Sequence, residues 1–236
     1  MINVYWSCDP FAQPSGLRVD DLVDLKVDFF KRVKKEHQDG YARCPSMQDF
    51  FTNLYGLKSL YDYGIEFDLD EKKINSKDYD PEFLNRLVVR NLDSGLFSWP
   101  QDHIYFTDAD SLMMELSPAF MEHNSFTNYT FLLPGRFDIG KWFRPIDCAF
   151  HLRHRKCKLD FRMSEIIMYL RFRTTEKINF VYFNFTKELH DLTNQLLNIK
   201  EFKYSSNKNS ILSFYYNVFK KRGFKKRILK LIKANT

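Results

Sequence analysis

Between Ile146 and Phe185 hydrophobic and polar side chains alternate residue by residue, and this stretch predicts the sheet at the centre of the chain. Ile146, Cys148, Phe150 and Leu152 fall on one side, with Asp147, Ala149, His151 and Arg153 on the other, the period of a half-buried strand. The polar run Arg153-His154-Arg155-Lys156 then turns the chain. A second run sets Leu159, Phe161 and Met163 against Asp160 and Arg162. A third sets Ile166, Met168, Leu170 and Phe172 against Ile167, Tyr169, Arg171 and Arg173, and a fourth spans Ile178 to Phe185. Four short strands with turn-length connections, within about residues 131–185, most simply form an antiparallel meander with one face on the core and the other wet.

The flanks follow other periods. Met1 to Trp6 alternates as a strand, whereas Asp20 to His37 carries Leu22, Val23, Val27, Phe29, Phe30 and Val33 near helical spacing, with Gly40 as a stop. Ser46 and Asp49 fit a variant of the capping box ahead of a second helix, and Asp80-Pro81-Glu82 has the form of a third helix start. Gly64 precedes the alternating Ile65 to Asp70, and Phe97 to Phe106 reads as extended. After the sheet, Thr186 opens a helix with Leu189, Leu192, Leu196 and Ile199. Ser210 opens another that runs to Gly223, and Phe224 to Lys233 forms a last amphipathic stretch. Helices before a sheet and helices after it make an α+β class: a meander core between N-terminal helices and a basic C-terminal helical segment, 186–236, in one domain spanning 1–236.

Composition narrows this only a little. With 44% apolar residues and 24 Phe the chain can bury a sizeable core, which excludes disorder. No apolar run approaches the roughly 18 residues that span a bilayer, and Met1 to Trp6 lacks the pattern of a signal peptide. The four cysteines, Cys8, Cys44, Cys148 and Cys157, are far apart and read as free thiols. Charge is more informative. The net +6 is unevenly placed: ten Lys/Arg and no acid follow Glu201, leaving 26 basic against 30 acidic groups before it.

Candidate chemistry gathers at the run Pro134-Gly135-Arg136-Phe137-Asp138-Ile139-Gly140-Lys141-Trp142-Phe143-Arg144-Pro145. Pro134-Gly135 suits the centre of a type II turn, and Gly140 allows a bulge or a close backbone approach. One reading is a ligand loop. Arg136 and Arg144 donate to an anion, Trp142 and Phe143 form a stacking floor, Asp138 orients an Arg, and His151 joins from the sheet face. The other reading is a structural corner whose aromatics plug the sheet edge. The polar face with His151, Arg153, Arg162, Tyr169, Arg171 and Arg173 either holds phosphate or is simply solvated. In the tail, Lys221, Arg222, Lys225, Lys226 and Arg227 are the nucleic-acid candidates, against a helix docked by its apolar stripe with Lys stems snorkelling around it. His151 and His154 point to opposite faces of a strand and make no metal clamp, and Asp108-Ala109-Asp110 reads as a solvated turn. No motif implies a cofactor, a metal or a catalytic residue.

Through the Pro134 to Pro145 run, the upstream Tyr41-Ala42-Arg43-Cys44-Pro45-Ser46 and the strands to Phe172, the chain resembles a group of uncharacterised proteins of T4-like marine cyanophages. It is similar, more remotely, to a bacterial domain of unknown function with a like Cys-Pro segment. The resemblance implies a bacteriophage protein of the host cytoplasm or the virion and transfers no catalytic residue. Gly135-Arg136-Phe137-Asp138 is also similar to the turn that precedes paired strands in the β-clip of trimeric dUTPases. The Arg-Ser-Gly and Gly-rich C-terminal motifs of that family are absent here, which argues against its activity. The function expected first is non-enzymatic recognition, through the 134–145 loop, of an unknown protein or a small anionic ligand. The alternatives are an enzyme acting on a nucleotide or other anionic metabolite, which needs Arg136, Asp138 and His151 to converge, and nucleic-acid binding through the tail.

Overall fold

The computed structural model describes residues 1–11, 22–35, 44–59, 62–82, 84, 89–100, 103–201 and 211–236. Of the helix expected from Asp80 through Leu92, Pro81, Glu82 and Leu84 are helical, residues 83 and 85–88 lie outside the described ones, and Val89–Asn91 form a strand instead. Strands β1 (Ile2–Cys8) and β2 (Val23–Asp24) lead into helix α1 (Leu25–Lys35) and a short α2 (Pro45–Phe50). Next come β3 (Leu54–Lys58), β4 (Tyr63–Asp68), β5 (Lys73–Asn75), β6 (Val89–Asn91), β7 (Leu96–Pro100), β8 (His103–Thr107) and β9 (Met113–Pro118). Helix α3 (Ser125–Tyr129) precedes β10 (Thr130–Leu132), β11 (Gly135–Asp138), β12 (Asp147–Leu152), β13 (Lys156–Phe161), β14 (Ile166–Phe172) and β15 (Ile178–Tyr182). Three helices close the chain: α4 (Lys187–Glu201), α5 (Ile211–Lys221) and α6 (Phe224–Ala234).

The α+β class holds, and Phe150, Phe161 and Met168 all stand on strands with their side chains buried. The pairing differs from a meander, because none of β12, β13, β14 and β15 is bonded to another of the four. The sheet orders are β10-β12-β7-β6, β13-β4-β5, β11-β9-β14-β3-β2 and β15-β1-β8. Among the described residues all ladders are antiparallel except β1 with β15. Alternation reports which face of a strand turns inward and is silent about its neighbour. Here earlier segments of the chain supply the neighbours, and all four sheets contribute inward side chains to one core rich in aromatic rings.

Along β12 and β13 the alternation is obeyed, with Phe150, Leu159 and Phe161 in and His151, Lys158 and Asp160 out. In β14 it fails. Tyr169, expected on the wet face, is buried with Ile166 because Leu25 of α1, Phe51 and Ala119 cover that side, and Ile167 turns into the central core at the register shift between Ile166 and Met168. Two other local expectations change. Cys44 stands at the N-cap position of α2 without a side-chain capping bond and Pro45 fixes the first position, so the Ser46–Asp49 box does not form. Gly135 has no positive φ, so Pro134-Gly135 is not a type II turn.

The sheet β15-β1-β8 is covered on both faces. Val4 and Tyr105 point to the central core, whereas Tyr5, Ile104 and Phe106 point to a second core made with the three last helices. Leu189, Leu192 and Leu196 of α4 and Phe224, Ile228 and Ile232 of α6 supply its helical side at i, i+3 or i+4 spacing. The basic tail is thus docked by its apolar stripe, each buried aliphatic or aromatic group contributing about 1.5–3 kcal/mol. Phe143 from the turn between β11 and β12 enters the same core and is fully buried, which fixes that turn against α5. No described helix is long and apolar enough to cross a membrane.

Candidate functional site

The turn after β11 is folded around Asp138, which is only 3% exposed. Its carboxylate accepts from the Ser111 hydroxyl at 2.8 Å, the Leu112 amide at 3.1 Å, the Gly140 amide at 3.0 Å and the Lys141 ammonium at 2.6 Å. Burial alone would raise this carboxyl's pKa. Lys141, Ser111 and the two amides outweigh burial and hold it below the usual carboxylate range. The Asp138 amide in turn donates to the Tyr216 hydroxyl at 2.7 Å, tying the turn to α5. Asp138 therefore orients a lysine and the turn itself, where the ligand-loop reading gave it an arginine.

Gly140 makes the close approach expected of it. A β-carbon there would stand 2.9 Å from the Ala109 carbonyl oxygen and 3.0 Å from that of Asp110, both backbone atoms. Gly140→Ala should accordingly lower stability by about 2 kcal/mol through backbone displacement. A thermal melt indistinguishable from wild type would show that the two segments part freely.

That contact brings the Asp108–Ser111 turn, the 138–141 turn and the α5–α6 junction together around a pocket of about 810 Å³. Lys141, Lys220, Lys221, Lys225 and Lys226 line it, with Asp110 the only acid among the lining residues. Gly223, in the left-handed region at φ 63°, breaks α5 from α6 and turns the N-terminal end of α6 toward the pocket. Lys225 is half-buried and donates to the Ala109 carbonyl, and burial pushes its ammonium pKa down. Lys220, Lys221 and Lys226 are exposed, and their ammonium groups make no hydrogen bond or ion pair with any described residue. Phe219 and Leu229 supply an apolar wall.

On the other side of the same turn, Trp142 stacks on Phe137 with ring centroids 5.1 Å apart and meets Tyr215 at 5.1 Å. The Arg144 guanidinium lies over both rings, 4.9 Å from Trp142 and 5.8 Å from Tyr215. The remaining sequence candidates sit elsewhere. Arg136 is exposed on β11 and paired with Glu115 at 2.5 Å. His151 is exposed on β12, its Nδ1 2.7 Å from the Leu152 carbonyl oxygen. Arg136, Asp138 and His151 do not converge: one is paired on the surface, one is buried inside a turn, and one belongs to another sheet. Of the tail residues, Lys221, Lys225 and Lys226 reach the pocket, and Arg222 and Arg227 are exposed outside its lining.

Sequence reasoning passed over Lys141 and the Asp108-Ala109-Asp110 turn as parts of one site. A signal existed for Lys141, since a lysine three residues after an aspartate in a glycine-containing turn is placed to pair with it. None existed for the joining of this turn to the tail, which tertiary packing decides. No group of His, Cys, Asp and Glu among the described residues has the arrangement of a metal site. Comparison of the chain with protein-family models, with curated proteins and with solved structures returns no match.

Proposed function

We propose that this chain is a non-enzymatic binding protein that takes a phosphate-bearing ligand into the pocket between the 138–141 turn and the α5–α6 junction. The observation that carries this reading is the gathering of five lysines from two distant segments around one cavity of about 810 Å³. Lysines act on phosphate as point charges without demanding a fixed approach. A volume in the range of small-molecule sites admits something of nucleotide size. Like charges held together repel, and an anion with several negative oxygens relieves that repulsion. In this reading the 134–145 loop and the basic tail are two halves of one receptor. The bacteriophage origin suggested by resemblance belongs to the same proposal, as does a place in the host cytoplasm or the particle.

Fluorescence anisotropy at low salt, with labelled adenosine triphosphate and with a labelled single-stranded oligonucleotide as probes, tests this. Reversing Lys220, Lys221 and Lys226 to Glu should weaken binding of the preferred probe roughly a hundredfold, at about 1 kcal/mol per residue reversed near the phosphate. Reversing Arg222, Arg227 and Lys230, which carry the same total charge outside the lining, should weaken it far less. Equal losses in the two variants would reduce the effect to net charge and remove the pocket from the account. Which probe binds more tightly separates a free nucleotide from a nucleic-acid strand.

A further inference from the structure

A cation removed from water requires an acceptor. Arg144 is only 9% exposed, and it makes no hydrogen bond or ion pair with any described residue. Its Nε is buried without a partner, as is the indole Nε1 of Trp142, against whose ring the guanidinium lies. The Tyr215 hydroxyl at the same place is buried and has no partner in hydrogen-bond geometry, although the Phe143 backbone lies near it. Asp147 acts on Arg144 through space without forming an ion pair. The attraction of two aromatic faces offsets only part of the desolvation of a guanidinium. It also leaves the edge of the guanidinium, where its N–H groups point, unused.

We infer that Trp142, Arg144 and Tyr215 form a second anion site, which receives one oxyanion group of a ligand, carboxylate or phosphoryl. The oxygens of one such group would satisfy the Arg144 Nε–H and the Trp142 Nε1–H, and its charge would neutralise the guanidinium. The edge of a guanidinium offers paired donors that match the oxygens of either group. This site is independent of the lysine pocket. It rests on orphaned donors within an aromatic cluster, and none of its three residues lines that pocket.

The full chain, labelled with ¹⁵N, provides a direct probe, because Trp142 carries one of only three indole N–H groups, with Trp6 and Trp99 as internal controls. Sodium phosphate and sodium acetate are titrated separately at ionic strength held constant with sodium chloride. The Trp142 indole resonance is expected to move and saturate with at least one of the two anions while those of Trp6 and Trp99 stay in place. Movement with phosphate alone identifies a phosphoryl ligand, and movement with acetate alone identifies a carboxylate. Arg144→Met should abolish the response with the control resonances unmoved, and Arg144→Lys, which keeps the charge and loses the fork, should weaken it at least tenfold. The lysine-pocket triple variant should respond as wild type does. The inference is overturned if Trp142 shows no saturable movement with either anion, if the movement survives in Arg144→Met, or if it vanishes in the lysine variant.

Discussion

Phe150→Ala is expected to destabilise the protein by about 4 kcal/mol, in the range for removing a buried aromatic ring from a core that cannot collapse around the void. Phe150 is fully buried, and its ring is 5.7 Å from Phe97, 5.0 Å from Trp99, 5.3 Å from Phe126 and 6.4 Å from Phe67. Those partners come from β7, from α3 and from β4, so one side chain joins two sheets and a helix. Each well-set ring pair adds about 0.5–1.5 kcal/mol beyond burial, which places the loss in the upper half of that range. A total stability of roughly 5–15 kcal/mol leaves little margin after such a change. Chemical denaturation should show the midpoint shifted with the slope unchanged. Phe131→Ala, at a position 49% exposed on the neighbouring strand β10, should change stability by no more than about 0.5 kcal/mol. Comparable losses in the two variants would contradict this account of the core.

Asp138→Asn is the second large effect, expected at about 3 kcal/mol at neutral pH. The amide cannot accept from four donors as the carboxylate does, and its own N–H groups face the Lys141 ammonium. The lower end of the range for broken buried pairs applies, because the Lys141 side chain is 34% exposed and can regain water. The pH dependence follows from the sign of the shift. Folding lowers this carboxyl's pKa. Its contribution is therefore fully present above the unfolded value of about 3.9 and is lost as pH falls through the folded value. The stability gap between wild type and Asp138→Asn should be widest near neutrality and close in acid. A gap of constant size across that window would assign the effect to geometry and not to charge.

How much of this was legible in the chain differs from element to element. Leu159 and Phe161 against Lys158 and Asp160 declare the two faces of β13 without ambiguity, and Phe224, Ile228 and Ile232 declare the docked stripe of α6. The buried outer face of β14 was not legible, because Tyr169 and Arg171 look polar and only the arrival of Leu25 and Phe51 shows that one of them is covered. Nor was the choice of partners, since β13 could have met β12 or β14 by pattern and meets β4 instead. At the candidate site, the sequence singled out the 134–145 run and the basic tail, and residues of both line one pocket. It gave the anion to Arg136 and Arg144, with His151 joining from the sheet face; the fold pairs Arg136 with Glu115 on the surface, buries Arg144 against Trp142 and puts His151 in another sheet, and Lys141 was left in the background. Charge is legible one residue at a time, whereas convergence belongs to the tertiary structure.

The parallel ladder that joins Ile2 to Ile178 and Trp6 to Tyr182 has a bearing on biogenesis. β1 is synthesised well before β15, so one of its two edges stays unbonded until β15 has been made. Contacts so far apart along the polypeptide put a large entropic barrier before the native state and slow its formation. Between the synthesis of β1 and that of β15 the nascent chain carries an unpaired strand edge, the kind of surface that invites wrong partners, and this favours shielding by a chaperone or a late, concerted collapse.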